Sequence, residues 1–475
     1  MRNQVLETLA SDGVLLDPEA VEFAMAQEEP LTFVRQALKV MPQQPLVISL
    51  QDLRDAYCSA PESPSCPPQP APLPAAKKGG VKVIKDITGN STCEGNIIDF
   101  ARYFNDRFQT IKRILVKRRE LIGCVPISRA LKLDREVHIV GIVNDVRTTK
   151  NGHKMLEIED DEAKCLALVM KDSPIIGEAV VQDEVIGIVG KPSRKGDMIM
   201  VEEIVRPDVP LRGSMARTDS TSQVAFVSDI HVGSNTFLHG QWDRMVRWTR
   251  AEGRNEGLEY VVIAGDCVDG IGIFPDQEEE LEIEDIFEQY HVLAELLKGL
   301  PDWIQIVVQP GNHDAVRPAE PQPAFSGEVA KMFDSQVMLV GNPCYMEIEG
   351  RLILSYHGRS MDDLVNAIQG LSYDNPLEAM KEMLKRRHMA PIYGGKTPIA
   401  PEKKDYLVID PVPDIFVTGH VHGAGASEYR GVRLINASTW QAQTSFQRMH
   451  NFHPVPAKLP LVHLGTGKVT IKDFN

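Results

Sequence analysis

Five hydrophobic runs between residues 224 and 422 each end in metal-binding side chains, and this arrangement constrains the fold more than any other feature of the 475-residue chain. Each run has the length and composition of a buried strand. The runs and the residues that follow them are Val224–Ser228 with Asp229 and His231; Tyr260–Ala264 with Gly265, Asp266 and Asp269; Trp303–Val308 with Gly311, Asn312, His313 and Asp314; Leu352–Tyr356 with His357; and Asp414–Thr418 with Gly419, His420 and His422. Because open α/β sheets bind ligands at the carboxyl ends of their strands, these side chains are predicted to gather at one edge.

The types of donor in this set suit two divalent metal ions that share a carboxylate. Such a pair needs one bridging carboxylate together with oxygen and imidazole ligands. The predicted ligands are Asp229, His231, Asp266, Asn312, His357, His420 and His422. Asp266 is the predicted bridge, because it follows Gly265 at a tight strand exit. One intervening residue separates His420 from His422, which lets the two imidazoles reach different ions from a single turn.

His313 stands apart from the ligands and is predicted to be the catalytic residue. A loop imidazole beside a metal-bound phosphate can act as general acid toward the leaving alkoxide. Either Asp314 or Asp269 could orient that imidazole, or a metal ligand, through a hydrogen bond. The chemistry this set predicts is hydrolysis of a phosphoester by in-line attack of metal-bound hydroxide. Cys267 lies within the second motif but is interpreted as a buried core residue.

Changes in composition divide the chain into five predicted parts. These are a small helical module at 1–57, a Pro- and Ala-rich linker at 58–80, a basic helical segment at 81–130, an all-β OB-like barrel at 131–212, and a layered α/β domain at 221–475 that carries the motifs. Five strand-like runs in about seventy residues favour a small closed barrel. The barrel strands lack the aromatic residues that stack on bases, so protein contact or a degenerate DNA-binding role is expected of them.

Two charged segments are open to two interpretations each. Seven basic residues and one acid lie between Arg102 and Arg119, which is typical of a solvated helix face and compatible with DNA contact. The acidic run from Asp276 to Glu288 is interpreted as a solvated loop and helix start rather than a partner site. Arg317, Arg359 and Arg448 are candidate phosphate contacts, although surface ion pairing explains each of them equally well.

The overall charge and the cysteines limit the class of protein. A net charge of −15 argues against wholesale nonspecific DNA binding, because phosphate contacts depend on Lys and Arg. The seven cysteines are widely spread and form no C-x-x-C pair, which is typical of reduced thiols in the cytoplasm. No apolar run approaches the roughly 20 residues needed to cross a bilayer, so no membrane association is expected.

The motif set D-x-H, G-D-x-x-D, G-N-H-D, H-G and G-H-x-H, over roughly 223–463, resembles the calcineurin-like metallophosphoesterase superfamily. Carried over by motif position, the resemblance implies His313 as the catalytic imidazole and two metal sites that share Asp266. The first site would be formed by Asp229, His231, Asp266 and His422, and the second by Asp266, Asn312, His357 and His420.

The whole chain, with the barrel and the segments that begin at Ser228 and Gly311, resembles the small subunits of archaeal family D DNA polymerases. This resemblance implies a 3′–5′ proofreading exonuclease activated by Mn²⁺ or Mg²⁺, acting on DNA with a 3′ end near the nucleoid. It also implies a large catalytic subunit as partner, in a heterodimer or heterotetramer, with a sliding clamp as a further candidate. A repair nuclease of the same superfamily and a nonenzymatic polymerase assembly subunit are the alternative interpretations.

Overall fold

A computed structural model describes residues 18–25, 32, 34, 38, 80–213, 215–449 and 451–475 of the protein. The chain divides into two compact units, residues 1–75 and residues 76–475. In the first unit the structure describes one helix, α1 (Pro18–Met25). Most of the predicted helical module and nearly all of the predicted linker lie outside the described residues. Within the described ranges, no helix is both long and apolar enough to cross a membrane.

Two six-stranded sheets form the α/β part of the second unit. The strands of the first sheet are β1 (Lys82–Lys85), β11 (Cys344–Ile348), β12 (Arg351–Ser355), β13 (Ile415–Thr418), β14 (Ala424–Tyr429) and β15 (Val432–Ala437), and their order is β1-β11-β12-β13-β15-β14. The strands of the second are β7 (Gln223–Val227), β8 (Leu258–Ala264), β9 (Gln305–Gln309), β10 (Val337–Leu339), β16 (Lys458–His463) and β17 (Val469–Asp473), and their order is β10-β9-β8-β7-β16-β17. Neighbouring strands from β7 to β10 run parallel, as do β12, β13 and β15.

The sheets pack face to face, and helices cover their outer faces. The helices of the α/β part are α4 (His239–Trp248), α5 (Ile286–Lys298), α6 (Gly327–Lys331), α7 (Met361–Ala367), α8 (Pro376–Arg386) and α9 (Ser445–Met449). In β8, Val262 faces the core between the sheets whereas Ile263 packs beneath Trp242 of α4 and Leu293 of α5. Both faces of the strand are therefore buried from Tyr260 to Ala264, which explains why these five residues are all apolar and do not alternate with polar ones. The prediction of a layered α/β architecture is therefore confirmed.

A closed five-stranded barrel precedes this part, as the strand pattern predicts. Its strands are β2 (Val137–Thr148), β3 (Lys154–Glu159), β4 (Lys164–Val169), β5 (Val185–Pro192) and β6 (Met198–Val205), and their order is β2-β3-β4-β6-β5. Strands β2 and β5 close the barrel in antiparallel fashion, and β4 pairs with β6 in parallel. Gly152 has a φ of 84° in the β2–β3 hairpin, a conformation that glycine adopts without strain. The OB assignment stays a prediction.

The segment predicted as basic and helical over 81–130 is only partly helical. Its start is strand β1, which pairs with β11 at the edge of the first sheet. The helical part consists of α2 (Ile97–Leu115), a short 3₁₀ turn and α3 (Ile127–Ala130). The four residues of β1, Lys-Val-Ile-Lys, do not alternate and are too few for periodicity to distinguish a strand from the flanking segment.

Helix α2 joins the barrel to the α/β part. Asn96 and Asp99 form a capping box at its start. Phe108 and Ile111 pack on barrel residues such as Val140. The basic residues of this segment are partly used inside the protein: Arg107 is buried, the Lys112 ammonium lies 3.0 Å from Asp161, and an Arg118 guanidinium nitrogen donates to the Pro207 carbonyl at 2.6 Å. These contacts favour a structural role over DNA contact.

A buried ionic cluster fixes α2 against the α/β part. The Arg107 guanidinium donates to Asp405 at 2.8 Å and to the carbonyl of Pro391 at 2.6 Å. The ring of His388 donates to the same Asp405 carboxylate at 2.7 Å, while its Nδ1 accepts the amide of Ala390 at 3.1 Å. Because Nδ1 is an acceptor, the imidazole is neutral, and burial together with Arg107 lowers the pKa of His388 to about 4.

This cluster predicts a loss of stability in mild acid. The imidazole has a pKa of about 6.5 in the unfolded state and about 4 in the folded state. Between these two pH values the unfolded protein binds a proton at His388 and the folded protein does not, so acid favours unfolding. The stabilisation is complete above pH 6.5 and falls by about 2 kcal/mol by pH 5. Urea unfolding at pH 7 and pH 5 should show a smaller acid loss for His388→Gln than for the wild type. The exposed His239→Gln is the control, and an unchanged pH dependence in His388→Gln would contradict the assignment.

Candidate metal centre

The structure brings the predicted ligands together at the carboxyl ends of the parallel strands. Asp229, His231 and His422 each offer one donor atom within 4.8 Å of the others. The Asp229 carboxylate lies 3.4 Å from Nε2 of His422 and 3.9 Å from Nε2 of His231, and all three side chains are buried. These three residues are called the first cluster below.

Asp266, His357 and His420 form the second cluster, with donor atoms again within 4.8 Å of one another. Nε2 of His357 lies 3.2 Å from Oδ2 of Asp266 and 3.1 Å from Oδ1 of Asn312. The same Asp266 oxygen is 3.9 Å from Nε2 of His231 in the first cluster. Asp266 therefore lies between the two clusters, and Asn312 lies beside His357 of the second cluster.

The backbone at the predicted ligands is strained. Asp229, His231, Asp266, His420 and His422 have φ values of 52°, 54°, 49°, 68° and 54°. Residues with a Cβ rarely adopt this left-handed conformation, and each instance costs of order 1–3 kcal/mol. Such strain concentrates at functional sites, where the surrounding structure holds it. Five of the seven predicted ligands have this positive φ. Their backbone conformation is therefore imposed by the surrounding tertiary structure rather than by local preference.

Glycines provide the space for the carboxylates. A Cβ on Gly311 would lie 2.2 Å from Oδ1 of Asp266, and one on Gly419 would lie 1.8 Å from the Ser228 hydroxyl and 2.4 Å from Oδ2 of Asp229. These contacts are below any normal van der Waals separation. The glycines of the G-N-H-D and G-H-x-H motifs are therefore needed because the backbone passes directly against the carboxylates.

The donor set fits metal ions. Asp229 and Asp266 are 0% and 1% exposed, and no Lys or Arg of the described residues forms an ion pair with either. Burial alone would raise the pKa of Asp266, but the imidazoles of His357 and His313 lower it well below its usual range. Two buried carboxylates that are surrounded by imidazoles with converging nitrogens match the mixed oxygen and nitrogen sets that bind divalent transition metals. These groups could hold a metal ion.

Asp269 orients two of the histidines. Its carboxylate accepts Nδ1–H of His231 at 2.9 Å, and its backbone carbonyl accepts Nδ1–H of His313 at 2.8 Å. Gln277 donates to both groups of Asp269, at 2.8 Å and 2.9 Å, and Gln441 donates to the carboxylate at 3.1 Å. Of Asp269 and Asp314, the two aspartates considered from the sequence, Asp269 therefore makes the orienting contacts. Because both rings are held through Nδ1, Nε2 of His231 and of His313 is directed at the site.

Asp314 instead shapes the loop that carries Asn312 and His313. Its carboxylate accepts the amides of Gly311 and Cys267 at 2.8 Å and 3.1 Å and the hydroxyl of Tyr290 at 3.0 Å. Burial and the neighbouring Asp266 raise the pKa of Asp314 to about 6. The pattern of contacts assigns Asp314 to the loop rather than to His313. Cys267 is fully buried in the core, in agreement with its interpretation from the sequence.

Three glutamines that support the site carry no signal in the sequence. Gln277 is 1% exposed although it lies in the acidic run that was expected to be a solvated loop. The run is attached to the site, because the amide of Glu282 donates to the Gly233 carbonyl at 2.7 Å and the Glu280 carbonyl accepts from Asn235 at 2.9 Å. The second glutamine is Gln441, which donates to Asp269. The third is Gln447, whose amide nitrogen lies 2.9 Å from Nδ1 of His422. Single amides outside the motifs are indistinguishable from surface residues in one sequence.

Loss of the Gln277 amide is expected to weaken metal binding by about 10- to 100-fold, because Asp269 would no longer hold His231 in place. The measurement is the rise in melting temperature of Gln277→Ala as Mn²⁺ is titrated. Gln369→Ala, an exposed glutamine in the same unit, serves as the control. If Gln277→Ala and the control show the same dependence on Mn²⁺, the orienting role is wrong.

His313 lies at the open side of the two clusters. Its ring packs edge-on against His231, with centroids 4.7 Å apart, and Nε2 is 3.9 Å from Oδ2 of Asp266. Burial lowers the pKa of His313, although Asp266 acts in the opposite direction. The ring is held by its Nδ1 contact with Asp269, and the ring also lines the cavity over the site. This position suits proton transfer to a group bound between the clusters and the cavity.

A cavity of about 390 Å³ opens over both clusters. Arg359 lines it, together with Lys396, Phe274, Tyr373 and Phe452. Arg317 is used elsewhere, because its guanidinium lies 2.9 Å from Glu402 and donates to the Pro321 carbonyl at 2.9 Å. Arg448 does not line this cavity. Among the three arginines considered from the sequence, only Arg359 faces the site.

Comparisons with known proteins point to one family. Residues 224–424 match the family model of the DNA polymerase alpha/epsilon B subunit. The chain is 46% identical over 402 residues to the DNA polymerase II small subunit of Archaeoglobus fulgidus, covering 83% of this chain and 81% of that one. Its identity to the DNA polymerase II small subunit of Methanothermobacter thermautotrophicus is 37% over 483 residues, covering 98% and 99%. An archaeal phosphodiesterase structure aligns at 12% identity with a TM-score of 0.27, over 53% of this chain and 98% of that one, which is too distant to support an argument.

Proposed function

Because this chain belongs to the family of archaeal DNA polymerase II small subunits, we propose that it carries a metal-dependent 3′–5′ exonuclease that proofreads for a replicative polymerase. The observation that supports this proposal is the complete donor set: two clusters with Asp266 between them and His313 at the open side. A scaffold subunit would have no need for buried, strained carboxylates and imidazoles that converge on one point. A large catalytic subunit that polymerises DNA is the proposed partner.

Two divalent ions, most simply Mn²⁺ with Mg²⁺ as the alternative, are the proposed cofactors. Asp229, His231 and His422 would hold one ion, His357, His420 and Asn312 the other, and Asp266 both. When bound, the pair would lower the pKa of a shared water and neutralise charge on the phosphate. The choice of Mn²⁺ rests on the imidazole-rich set, because Mg²⁺ prefers oxygen ligands and retains its waters.

The protein's own residues would perform the proton transfer and the orientation. Water attacks the phosphorus of the terminal phosphodiester and releases a proton to solvent, the bond from phosphorus to the 3′ oxygen breaks, and His313, which must be protonated on Nε2 for this step, gives that proton to the leaving oxygen. The products are a nucleoside 5′-monophosphate and a strand that is one residue shorter and ends in a 3′ hydroxyl. Asp269 keeps His313 in position through the contact at 2.8 Å.

The test is to assay the chain together with its native large subunit. With Mn²⁺ and without deoxynucleotides, a primer with a mismatched 3′ end should be shortened, releasing 5′-mononucleotides, and EDTA should stop the reaction. No shortening of either a mismatched primer or a single strand would contradict the proposal and favour the assembly-subunit interpretation. Endonucleolytic products from an intact loop would favour the repair-nuclease interpretation.

A further inference from the structure

The cavity over the clusters contains two cations that the proposed metal chemistry does not use. Arg359 follows His357 and Gly358 at the exit of β12, and Lys396 lies in the loop between α8 and β13. The Arg359 guanidinium donates to one group of the described residues, the Pro318 carbonyl at 3.2 Å. No ion pair or hydrogen bond of the Lys396 ammonium is found in the described part of the chain. Asp362, a carboxylate that lines the same cavity, faces His420 at 3.5 Å.

Cations placed in this way suit a phosphate ligand. Arg presents several donors in a plane that matches a phosphate, and Lys adds a point charge. Arg359 is half-buried and Lys396 is exposed, and neither forms an ion pair among the described residues, so both charges are accessible to an anionic ligand. Both side chains line the same cavity as Asn312 and His420, on the side of the second cluster. They are therefore placed to bind the phosphate backbone next to the scissile bond.

Apolar and aromatic side chains also line the cavity. Phe452 packs edge-on against Tyr373, with ring centroids 4.5 Å apart. Ile273 and Phe274 come from the loop that follows Gly270, next to His313, and Ile273 is 40% exposed. Aromatic faces that border a cationic groove are the usual platform for unpaired bases. These side chains are called the aromatic wall below, and none of them carries a charge.

The size of the cavity limits what can enter. Pockets of about 300–1,000 Å³ hold ligands of the size of one small molecule. At about 390 Å³ the cavity is of the size of one nucleotide. An unpaired terminal nucleotide is therefore the ligand that it suits, and the cost of unpairing is least for a mismatched base.

We propose that Arg359 and Lys396, together with the wall formed by Phe274 and Phe452, are a subsite for one unpaired 3′-terminal nucleotide. Arg359 and Lys396 hold the backbone phosphate, and the terminal base lies against the aromatic wall. This inference rests on the proposed exonuclease and names the residues that select its substrate. The subsite favours unpaired ends because its size matches a single nucleotide.

The test measures binding rather than turnover. A single-stranded oligonucleotide with 2-aminopurine at its 3′ end is titrated, in Mn²⁺, into the full chain that carries His313→Gln to slow hydrolysis. Adding Arg359→Ala and Lys396→Ala should weaken binding by about 10- to 100-fold. It should also reduce the slope of log affinity against log salt by about 1.4, as expected when two phosphate contacts on a single strand are lost. Lys403→Ala with Lys404→Ala, two exposed lysines outside the cavity, is the charge-matched control.

The aromatic wall has its own readout. In Phe452→Leu, which keeps an apolar side chain but removes the ring, the quenching of 2-aminopurine should decrease and binding should weaken by about 5- to 100-fold. Stabilisation by Mn²⁺ should be unchanged in all these variants, because none removes a metal ligand.

Several outcomes would overturn the subsite. The first is that the Arg359→Ala and Lys396→Ala variant has the same affinity and salt slope as the lysine control. The second is that the cavity variants lose stabilisation by Mn²⁺ as well as DNA binding. The third is that the His313→Gln starting protein does not bind the oligonucleotide. If the wild type shortens primers while the cavity variants bind normally, the subsite is wrong and the exonuclease stands. Failure of the wild type to cleave DNA with its partner would instead remove the proposed function.

Discussion

Asp266→Asn is expected to reduce exonuclease activity by about 1,000-fold or more, the largest effect of any single substitution at the site. The substitution keeps the shape of the side chain but removes the negative charge that lies 3.2 Å from His357 and 3.9 Å from His231. Both proposed ions would lose a shared ligand, and several kcal/mol of charge stabilisation in the transition state would be lost with it. The measurement is the rate of primer shortening in Mn²⁺ by the complex with the large subunit.

The control for this prediction is Asp243→Asn on α4, an exposed aspartate that is not among the proposed ligands. Stabilisation by Mn²⁺ should disappear in Asp266→Asn and persist in the control. A folded Asp266→Asn protein that keeps more than a tenth of the wild-type rate would show that Asp266 is not the shared ligand.

His313→Gln is expected to reduce the rate on DNA by about 100- to 10,000-fold while leaving metal binding intact. His313 is positioned through Nδ1, and its Nε2 faces the cavity. A general acid matters most when the leaving oxygen is strongly basic. The loss should therefore be large on DNA, whose leaving group is a sugar alkoxide, and small on bis(p-nitrophenyl) phosphate, whose leaving group needs no proton.

Comparing the two substrates separates proton transfer from positioning. His453→Gln, an exposed histidine with a side chain that is 61% exposed, is the matched control and should change neither rate. An equal loss on both substrates in His313→Gln would assign the residue to binding of the phosphate rather than to protonation of the leaving group.

The strand-exit motifs predicted that the proposed ligands gather at one edge of the sheet, because each motif depends on local sequence. A buried strand such as β8 has a continuous apolar pattern, and a ligand directly after it must lie at the carboxyl edge of the sheet. The division of Asp229 and Asp266 between two neighbouring clusters follows from the parallel pairing of β7 with β8. The chain order of the motifs therefore contained most of the geometry of the site.

The residues that support the ligands could not be predicted in the same way. Gln277 reaches Asp269 from the acidic run, and Gln447 reaches His422 from α9. Lys396 enters the cavity from a loop with no periodic pattern. Each of these contacts depends on how distant segments fold together, and a single amide or ammonium has no sequence spacing that marks it.

Strand β1 was missed for a related reason. It has four residues and pairs with β11, more than 250 residues later in the chain, so its structure is determined by the sheet edge and not by its own sequence. In contrast, the closed barrel was predicted correctly because its five strands are consecutive and are joined mostly by short connections.

Anomalous diffraction from a crystal grown with Mn²⁺ tests the central claim most directly. Two peaks about 3.5–4 Å apart are expected, with Asp266 between them, Asp229, His231 and His422 around one, and Asn312, His357 and His420 around the other. A single peak, peaks that do not share Asp266, or no peak in a crystal soaked at millimolar Mn²⁺ would contradict the two-metal account.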